Sequence, residues 1–199
     1  MAKKTPHRTA KIHRATRETD VTVELCLDGG DYHNDTGVGF FDHMLDHVAR
    51  HGRLGLHVAA KGDTHIDDHH TVEDVGIVLG QAINEALGDK KGIERYGFAS
   101  VPMDEALARV SIDLSGRAAL VFDASFGRDP DKIGQFDTQL VPEFFGALTN
   151  NGLFNCHVEA VRGQNAHHMA EAIFKALGRS LQQAVRITSD EVPSTKGTL

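Results

Sequence analysis

Apolar residues along this chain keep two rhythms in turn, and the order of the rhythms occurs twice. Alternation of apolar and polar positions marks strands over residues 8–16 and 21–27, with Asp28-Gly29-Gly30 as the turn after the second. Phe40, Phe41, Met44, Leu45 and Val48 then fall three and four apart, which predicts a helix over 40–50. A strand over 54–60 and a long helix over 69–87, stopped by Gly88, complete the first half. The second half offers strands over 96–103, 105–114 and 118–122, a helix over 138–148, a strand over 153–161 and a helix over 167–187. The tail beyond Ser189, with Pro193 and Gly197, reads as irregular. Each half is strands, helix, strand, helix. The expected class is α+β, its two sheets packing their helices either between them or on one side.

The two halves also match residue by residue. Sliding one over the other places Asp42-His43-Met44-Leu45 on Pro142-Glu143-Phe144-Phe145, Gly52 on Gly152, Leu54 on Phe154, and His57-Val58 on His157-Val158. A slip of two residues then lays His69-His70 on His167-His168. The repeat is too long for a solenoid and suggests a duplicated unit with pseudo-twofold symmetry.

Within this repeat, His69-His70-Thr71-Val72-Glu73 and His167-His168-Met169-Ala170-Glu171 both read H-H-x-x-E at the start of a helical stretch. Residues three and four apart share a helix face, so each Glu stands beside its own histidine pair. Adjacent histidines diverge by about 100° around the axis and do not readily chelate one ion. Each pair therefore serves two ions, or one ion at a subunit interface. Imidazole and carboxylate donors without thiolates suit Mn²⁺ or Fe²⁺, with Zn²⁺ or Ni²⁺ able to compete. His43 and Glu143, at matched positions, can complete two related spheres and leave room for a substrate. For a single copy of the word, a polar first turn with its Glu complementing the helix dipole explains as much; two copies inside one larger repeat favour metal ligation.

Composition narrows the setting. Apolar residues make up 40% of the 199 and charged residues 25%, as in an ordinary soluble globular domain. A net charge of −7 argues against a nucleic-acid or membrane-surface role. Residues 1–11 are basic but lack the apolar run of a signal peptide, and no stretch approaches membrane length. Cys26 and Cys156 have no CxxC partner and read as free thiols, so a cytoplasmic setting is expected.

Six segments in order carry a resemblance over essentially the whole chain: Arg17-Glu18-Thr19, Gly39-Phe40-Phe41-Asp42-His43-Met44-Leu45, Asp68-His69-His70-Thr71-Val72-Glu73-Asp74, Asp113-Leu114-Ser115-Gly116-Arg117, Asn165-Ala166-His167-His168 and Pro193-Ser194-Thr195-Lys196-Gly197. The chain resembles the imidazoleglycerol-phosphate dehydratase family of histidine biosynthesis, in its monofunctional form. The resemblance implies one dehydratase domain of two halves, about 1–92 and 93–199, each a four-stranded sheet with two helices of the ribosomal S5 domain 2-like kind. It also implies two Mn²⁺ per subunit and a homo-oligomer of twenty-four subunits with active sites between them.

By position, His43, His69, His70, Glu73, His167, His168 and Glu171 match the family's metal ligands, and His43 and His69 touch substrate as well. Some members carry His at position 143, so Glu143 is a departure that alters the charge of that sphere. Glu18, His47 and His51 match substrate contacts; Arg95, Arg117, Lys175, Ser194 and Lys196 match the phosphate pocket. The implied reaction removes water from imidazole glycerol phosphate to give imidazole acetol phosphate, although no carbonyl acidifies the carbon that loses its proton. The ring must act as the electronic relay, held as imidazolate by a metal on each nitrogen and passing through a diazafulvene-like intermediate. A carboxylate must move the protons, and Glu18 and Glu171 are the candidates.

Plainer readings stand beside these. His47 and His51 fit a solvated helix stripe as well as a substrate contact, and Arg95 and Arg117 taken alone are ordinary ion-pair partners. His57 and His157 favour structural roles, while His7, His13, His33 and His65 read as surface residues. The tail is of interest because a mobile segment can close over a site and exclude water. Of the rival classes, a dinuclear hydrolase remains open and a metal-storage protein fits poorly, since the donors are spread over a duplicated fold. The H-E-x-x-H zincins lack support because both histidines precede the Glu. The four-helix di-iron fold is disfavoured because strands separate the helices.

Overall fold

Val21, Val23 and Leu25 alternate with polar neighbours on one strand, Leu56 and Val58 on the next, and all five are buried on one face. In the computed structural model, which describes residues 8–126 and 132–199, that face belongs to the first of two matching sheets. The first half contains β1 (Thr9–Ala15), β2 (Thr19–Cys26), β3 (Tyr32–Asp35), α1 (Gly39–Gly52), β4 (Gly55–Gly62) and α2 (His69–Leu87). The second contains β5 (Tyr96–Met103), β6 (Ala106–Asp113), β7 (Ala119–Asp123), a hairpin β8 (Lys132–Ile133) and β9 (Phe136–Asp137), α3 (Leu140–Gly152), β10 (Asn155–Arg162) and α4 (Ala166–Ala184). His7 lies outside the described residues.

The sheets run β1-β2-β4-β3 and β5-β6-β10-β7. In each, the fourth strand along is parallel to its neighbour and joined to it by a crossover helix, α1 or α3. The registers agree: Val23 faces Val58 in one sheet and Val110 faces Val158 in the other.

Each helix lies on its own half's sheet but crosses a helix of the other half, α1 against α4 and α2 against α3. The helices are thus sandwiched between the sheets, and Phe41, Phe144, Phe145 and Phe174 meet in the middle with ring centroids 5.2–5.7 Å apart. Both crossings bring backbone onto backbone. A Cβ added to Gly178 would lie 2.7 Å from Val48 O and 2.9 Å from Gly52 N; one on Gly80 would lie 2.5 Å from Leu148 O and 2.8 Å from Gly152 N. These are the same contact in its two copies.

The halves differ between the third strand and the first helix. The first half turns through residues 36–38 alone, whereas the second inserts the β8–β9 hairpin, which buries Phe136 against Phe40 and Phe41. The pattern of apolar residues did not reveal β3, a polar edge strand, or this hairpin. It also carried the last helix to residue 187, whereas α4 ends at Ala184 and Ile187 leaves to bridge Ile93.

Candidate metal centre

The H-H-x-x-E words open α2 and α4. Asn165 caps α4, its side chain accepting from the backbone N–H of His167 at 2.9 Å and of His168 at 3.4 Å. At α2, Asp67 accepts from His69 N at 2.9 Å. The Asn165 cap fixes where α4 begins, and hence which way its paired imidazoles diverge.

At the α1–α4 crossing three of the predicted donors, His43, His167 and Glu171, meet two residues expected to touch substrate, His47 and Lys175. Glu171 Oε1 lies 2.8 Å from His167 Nε2 and 3.2 Å from His43 Nε2, while Oε2 lies 3.2 Å from His47 Nε2 and 2.5 Å from Lys175 Nζ. One ligand atom each from His43, His47 and Glu171 falls within 4.8 Å of the others, the one group of three able to hold an ion among the described residues. Burial pushes the Glu171 carboxyl up, but hydrogen bonds from Lys175, His167 and His43 outweigh it and hold it at about 2. Burial pushes the His47 imidazole down to about 4, against the pull of Glu171, with repulsion from His43 and Lys175 adding. Near neutral pH the cluster therefore presents an anionic oxygen at Glu171 and a neutral ring at His47, the charge states that metals require. His51 stacks beyond His47, ring centroids 5.7 Å apart.

The second crossing has lost this density. Glu143 and Glu73 stand where His43 and Glu171 stand, but Ala147 replaces His47 and Ile77 replaces Lys175. His69 lines a cavity of about 450 Å³ shared with Asp67, Asp68 and the hairpin residues Lys132, Gln135 and Asp137.

Each word's second histidine has a carboxylate partner that the sequence did not reveal. His70 Nδ1 lies 3.1 Å from Asp63, and His168 Nδ1 lies 2.8 Å from Glu105. Glu18, on the β1–β2 turn, reaches only to 3.9 Å of His70 Nδ1 and is largely exposed. By strand register its counterpart in the second half is Glu105.

The phosphate candidates gather elsewhere. Arg95, in the left-handed region at φ 72°, bonds Asp113 at 2.7 Å and the Pro193 carbonyl at 2.9 Å, which draws Ser194 to the start of β5. Arg117 and Lys196 are exposed, and the chain end at Leu199 packs against Gly116. The turn carrying Asp104 and Glu105 lies at the opposite end of β5. Eight residues at about 3.3 Å each put roughly 25 Å between the two. Lys175, beside Glu171, is not among the Arg95 group. Within one chain, then, the predicted site falls into three parts: the α1–α4 cluster, the α2 end with Glu18, and the Arg95 end.

Of the remaining histidines, His57 pairs with Asp31 at 3.5 Å, His13 with Asp20 at 2.8 Å, and His33, His65 and His157 are exposed.

Comparison with known proteins adds direct findings. The family model described as imidazoleglycerol-phosphate dehydratase matches residues 36–181. The imidazoleglycerol-phosphate dehydratase of Albidiferax ferrireducens is 54% identical over 198 residues, covering 98% of this chain and 96% of its own length. That of Acidiphilium cryptum is 59% identical over 196 residues, covering 96% of this chain and 99% of its own. The crystal structure of the Staphylococcus aureus enzyme of that name superposes with a TM-score of 0.82 at 43% identity, over 90% of this chain and 99% of that one. A Pyrococcus furiosus structure, solved in complex with (S)-C348, also gives 0.82, at 36% identity over 94% of this chain and 100% of that one.

Proposed function

Because the chain belongs to the imidazoleglycerol-phosphate dehydratase family, lyases of histidine biosynthesis, we propose that it dehydrates imidazole glycerol phosphate at sites shared between neighbouring chains, with two divalent ions per chain, Mn²⁺ first among them. The observation that carries the metal reading is the closure of His43, His47 and Glu171 within 4.8 Å, with Glu171 held anionic and His47 held neutral near neutral pH. His167 adjoins this group through Glu171, and His168 stands beside it on α4. His69, His70, Glu73 and Glu143 are the candidates for the second ion.

Bound there, divalent ions would supply positive charge to the substrate ring and bring its nitrogens to imidazolate near neutral pH. The chain's own groups do the rest. Lys175 lies against Glu171 and balances its charge. Glu18, exposed and not hydrogen-bonded to His70, is placed to exchange a proton with the substrate, giving one to the leaving hydroxyl or taking one from carbon. Glu171 is so engaged by His43, His47, His167 and Lys175 that its role is ligation.

The separation along β5 supports a site of several chains. A substrate anion at Arg95, Arg117, Ser194 and Lys196 lies too far from Glu171 for both ends of a small molecule to be held by one chain. A homo-oligomer, of twenty-four subunits on the family resemblance, brings the parts together. The buried thiol of Cys156 fits a reducing, cytoplasmic setting. No helix of the described residues is long and apolar enough to cross a membrane. The same reading treats the chain as one dehydratase domain whose halves meet near residues 92 and 93.

Metal-free protein titrated with Mn²⁺ and assayed for the ketone product tests this directly. Two ions per chain and activity that returns with them are expected. A single ion per chain at full activity would end the two-metal proposal, and hydrolysis of simple phosphate esters in place of dehydration would favour a hydrolase. Among the described residues Arg117 makes no ion pair, and its guanidinium, which donates to the Ser115 carbonyl at 3.3 Å, keeps further N–H groups for a phosphate. Arg117→Ala should raise KM about tenfold or more, the loss of a charge-assisted hydrogen bond of about 1.5–3 kcal/mol, with an unchanged melting curve. An unaltered KM would remove it from the pocket.

A further inference from the structure

We propose that Asp63 and Glu105 are positioning residues, each holding the Nδ1 edge of the second histidine in its H-H-x-x-E word so that Nε2 is the nitrogen offered to an ion. The inference rests on the metal reading above and extends it to two residues outside the ligand set.

The geometry is specific. Both carboxylate oxygens of Asp63 lie against His70 Nδ1, at 3.1 and 3.2 Å, and Glu105 Oε2 lies 2.8 Å from His168 Nδ1. A neutral imidazole has one N–H and one lone pair, and a carboxylate only accepts, so each contact selects the Nδ1–H tautomer; at His168 the 2.8 Å Glu105 bond prevails over Asp104, whose carboxylate lies 3.5 Å from Nε2 without a hydrogen bond. That tautomer carries its lone pair on Nε2, and the carboxylate makes it a better donor. Glu105 is itself fixed from behind: its Oε1 accepts from the backbone N–H of Gln164 at 3.1 Å and of Asn165 at 2.8 Å. It therefore joins the β5–β6 turn, the α4 cap and the His168 ring in one network.

The two halves reach this bond from different places. Asp63 follows β4, where the second half has Gly163. Glu105 sits on the β5–β6 turn, where the first half has Glu18. In an otherwise matched pair of folds, the same contact has been made twice with non-equivalent residues. Had Glu18 kept its counterpart's task, its carboxylate would be tied to His70. With Asp63 in that place, Glu18 stands 3.9 Å away with its carboxylate exposed. Asp63 thus both orients His70 and releases Glu18 to the substrate.

Asp63→Asn and Glu105→Gln test the assignment in the full chain. The Gln amide can still accept from Gln164 and Asn165, but the NH₂ it turns toward His168 needs a lone pair at Nδ1 and drives the proton to Nε2. Titration with Mn²⁺, followed by the resonance of the free ion, should show one ion per chain bound about 10–100-fold more weakly in each variant. Solid-state ¹⁵N spectra of histidine-labelled, metal-free wild type, assigned with His70→Gln and His168→Gln, should show Nδ1–H at both rings. Wild-type Mn²⁺ affinity in both variants, or Nε2–H at both rings of the wild type, would overturn the proposal. If the wild type bound no Mn²⁺, the metal reading itself would fall, and the ¹⁵N spectra would still decide which nitrogen the carboxylates hold.

Discussion

Gly178→Ala is expected to destabilise the metal-free protein by about 1–2 kcal/mol, and Gly80→Ala by as much or more. The added methyls would stand 2.7 and 2.5 Å from carbonyl oxygens of the opposing helix, distances that no rotamer relieves. Only parting the helices makes room, and overpacking of this kind costs about 1–3 kcal/mol, occasionally more. The substitution also gains about 1 kcal/mol of helix propensity, so the measured loss is a net value. Gly146 in α3 supplies the control, because a Cβ there meets nothing within 4 Å; Gly146→Ala should leave stability unchanged or raise it. Urea midpoints of the three variants decide the matter. Equal midpoints for Gly178→Ala and Gly146→Ala would show that the crossings are looser than described. Gly178→Ala should also weaken Mn²⁺ binding at the α1–α4 cluster, since parting these helices separates His43 and His47 from Glu171.

Glu18→Gln is expected to lower turnover about 10²–10⁴-fold while both ions and the assembly are retained. Its carboxylate is exposed and its backbone N–H is held by Thr16 Oγ1 at 3.1 Å, so the change leaves the turn intact. The amide keeps the shape but cannot exchange a proton near neutral pH. Glu171→Gln should behave differently and lose metal, because four cationic or ligand groups converge on that carboxylate. A metal count and a turnover rate on each variant separate the roles. Near-normal turnover by Glu18→Gln would end its assignment to proton transfer, and loss of an ion there would make it a ligand.

Most of the fold was legible because both sheets show one face to the helices and the other outward, which writes period-two alternation into β1, β2, β5 and β6. Edge strand β3 left no such trace: Tyr32-His33-Asn34-Asp35 is polar and only half-buried at alternate positions. The β8–β9 hairpin is too short to have a period, and its one anchor, Phe136, looks like any isolated apolar residue. Of the residues that meet at the α1–α4 crossing, His43, His167 and Glu171 are legible because the repeat singles them out. His47 matches a substrate contact of the family, and its closeness to Glu171 depends on how α1 crosses α4. Asp63 and Glu105 lie on turns, and nothing local says which histidine a turn carboxylate will reach. The grouping of Arg95, Arg117, Ser194 and Lys196 was expected from family resemblance alone. That Arg95 meets the Pro193 carbonyl at the far end of β5 from the Asp104–Glu105 turn follows only from the folded chain.

The crosswise helix pairs have a consequence for what one half could be by itself. Neither half crosses its own two helices; each takes its partner from the other half. Cut between the halves, the chain becomes two molecules that each expose an apolar helix layer and hold together only as a dimer. If those molecules were identical, the crossings α1–α4 and α2–α3 would be one contact related by a true twofold axis, and any residue gained at one would appear at the other. A covalent join replaces dilution by a high effective concentration, and it also lifts the symmetry. Glu143 can then differ from His43, Ala147 from His47 and Ile77 from Lys175, so that two chemically distinct sets of side chains can coexist at the two crossings of a single chain.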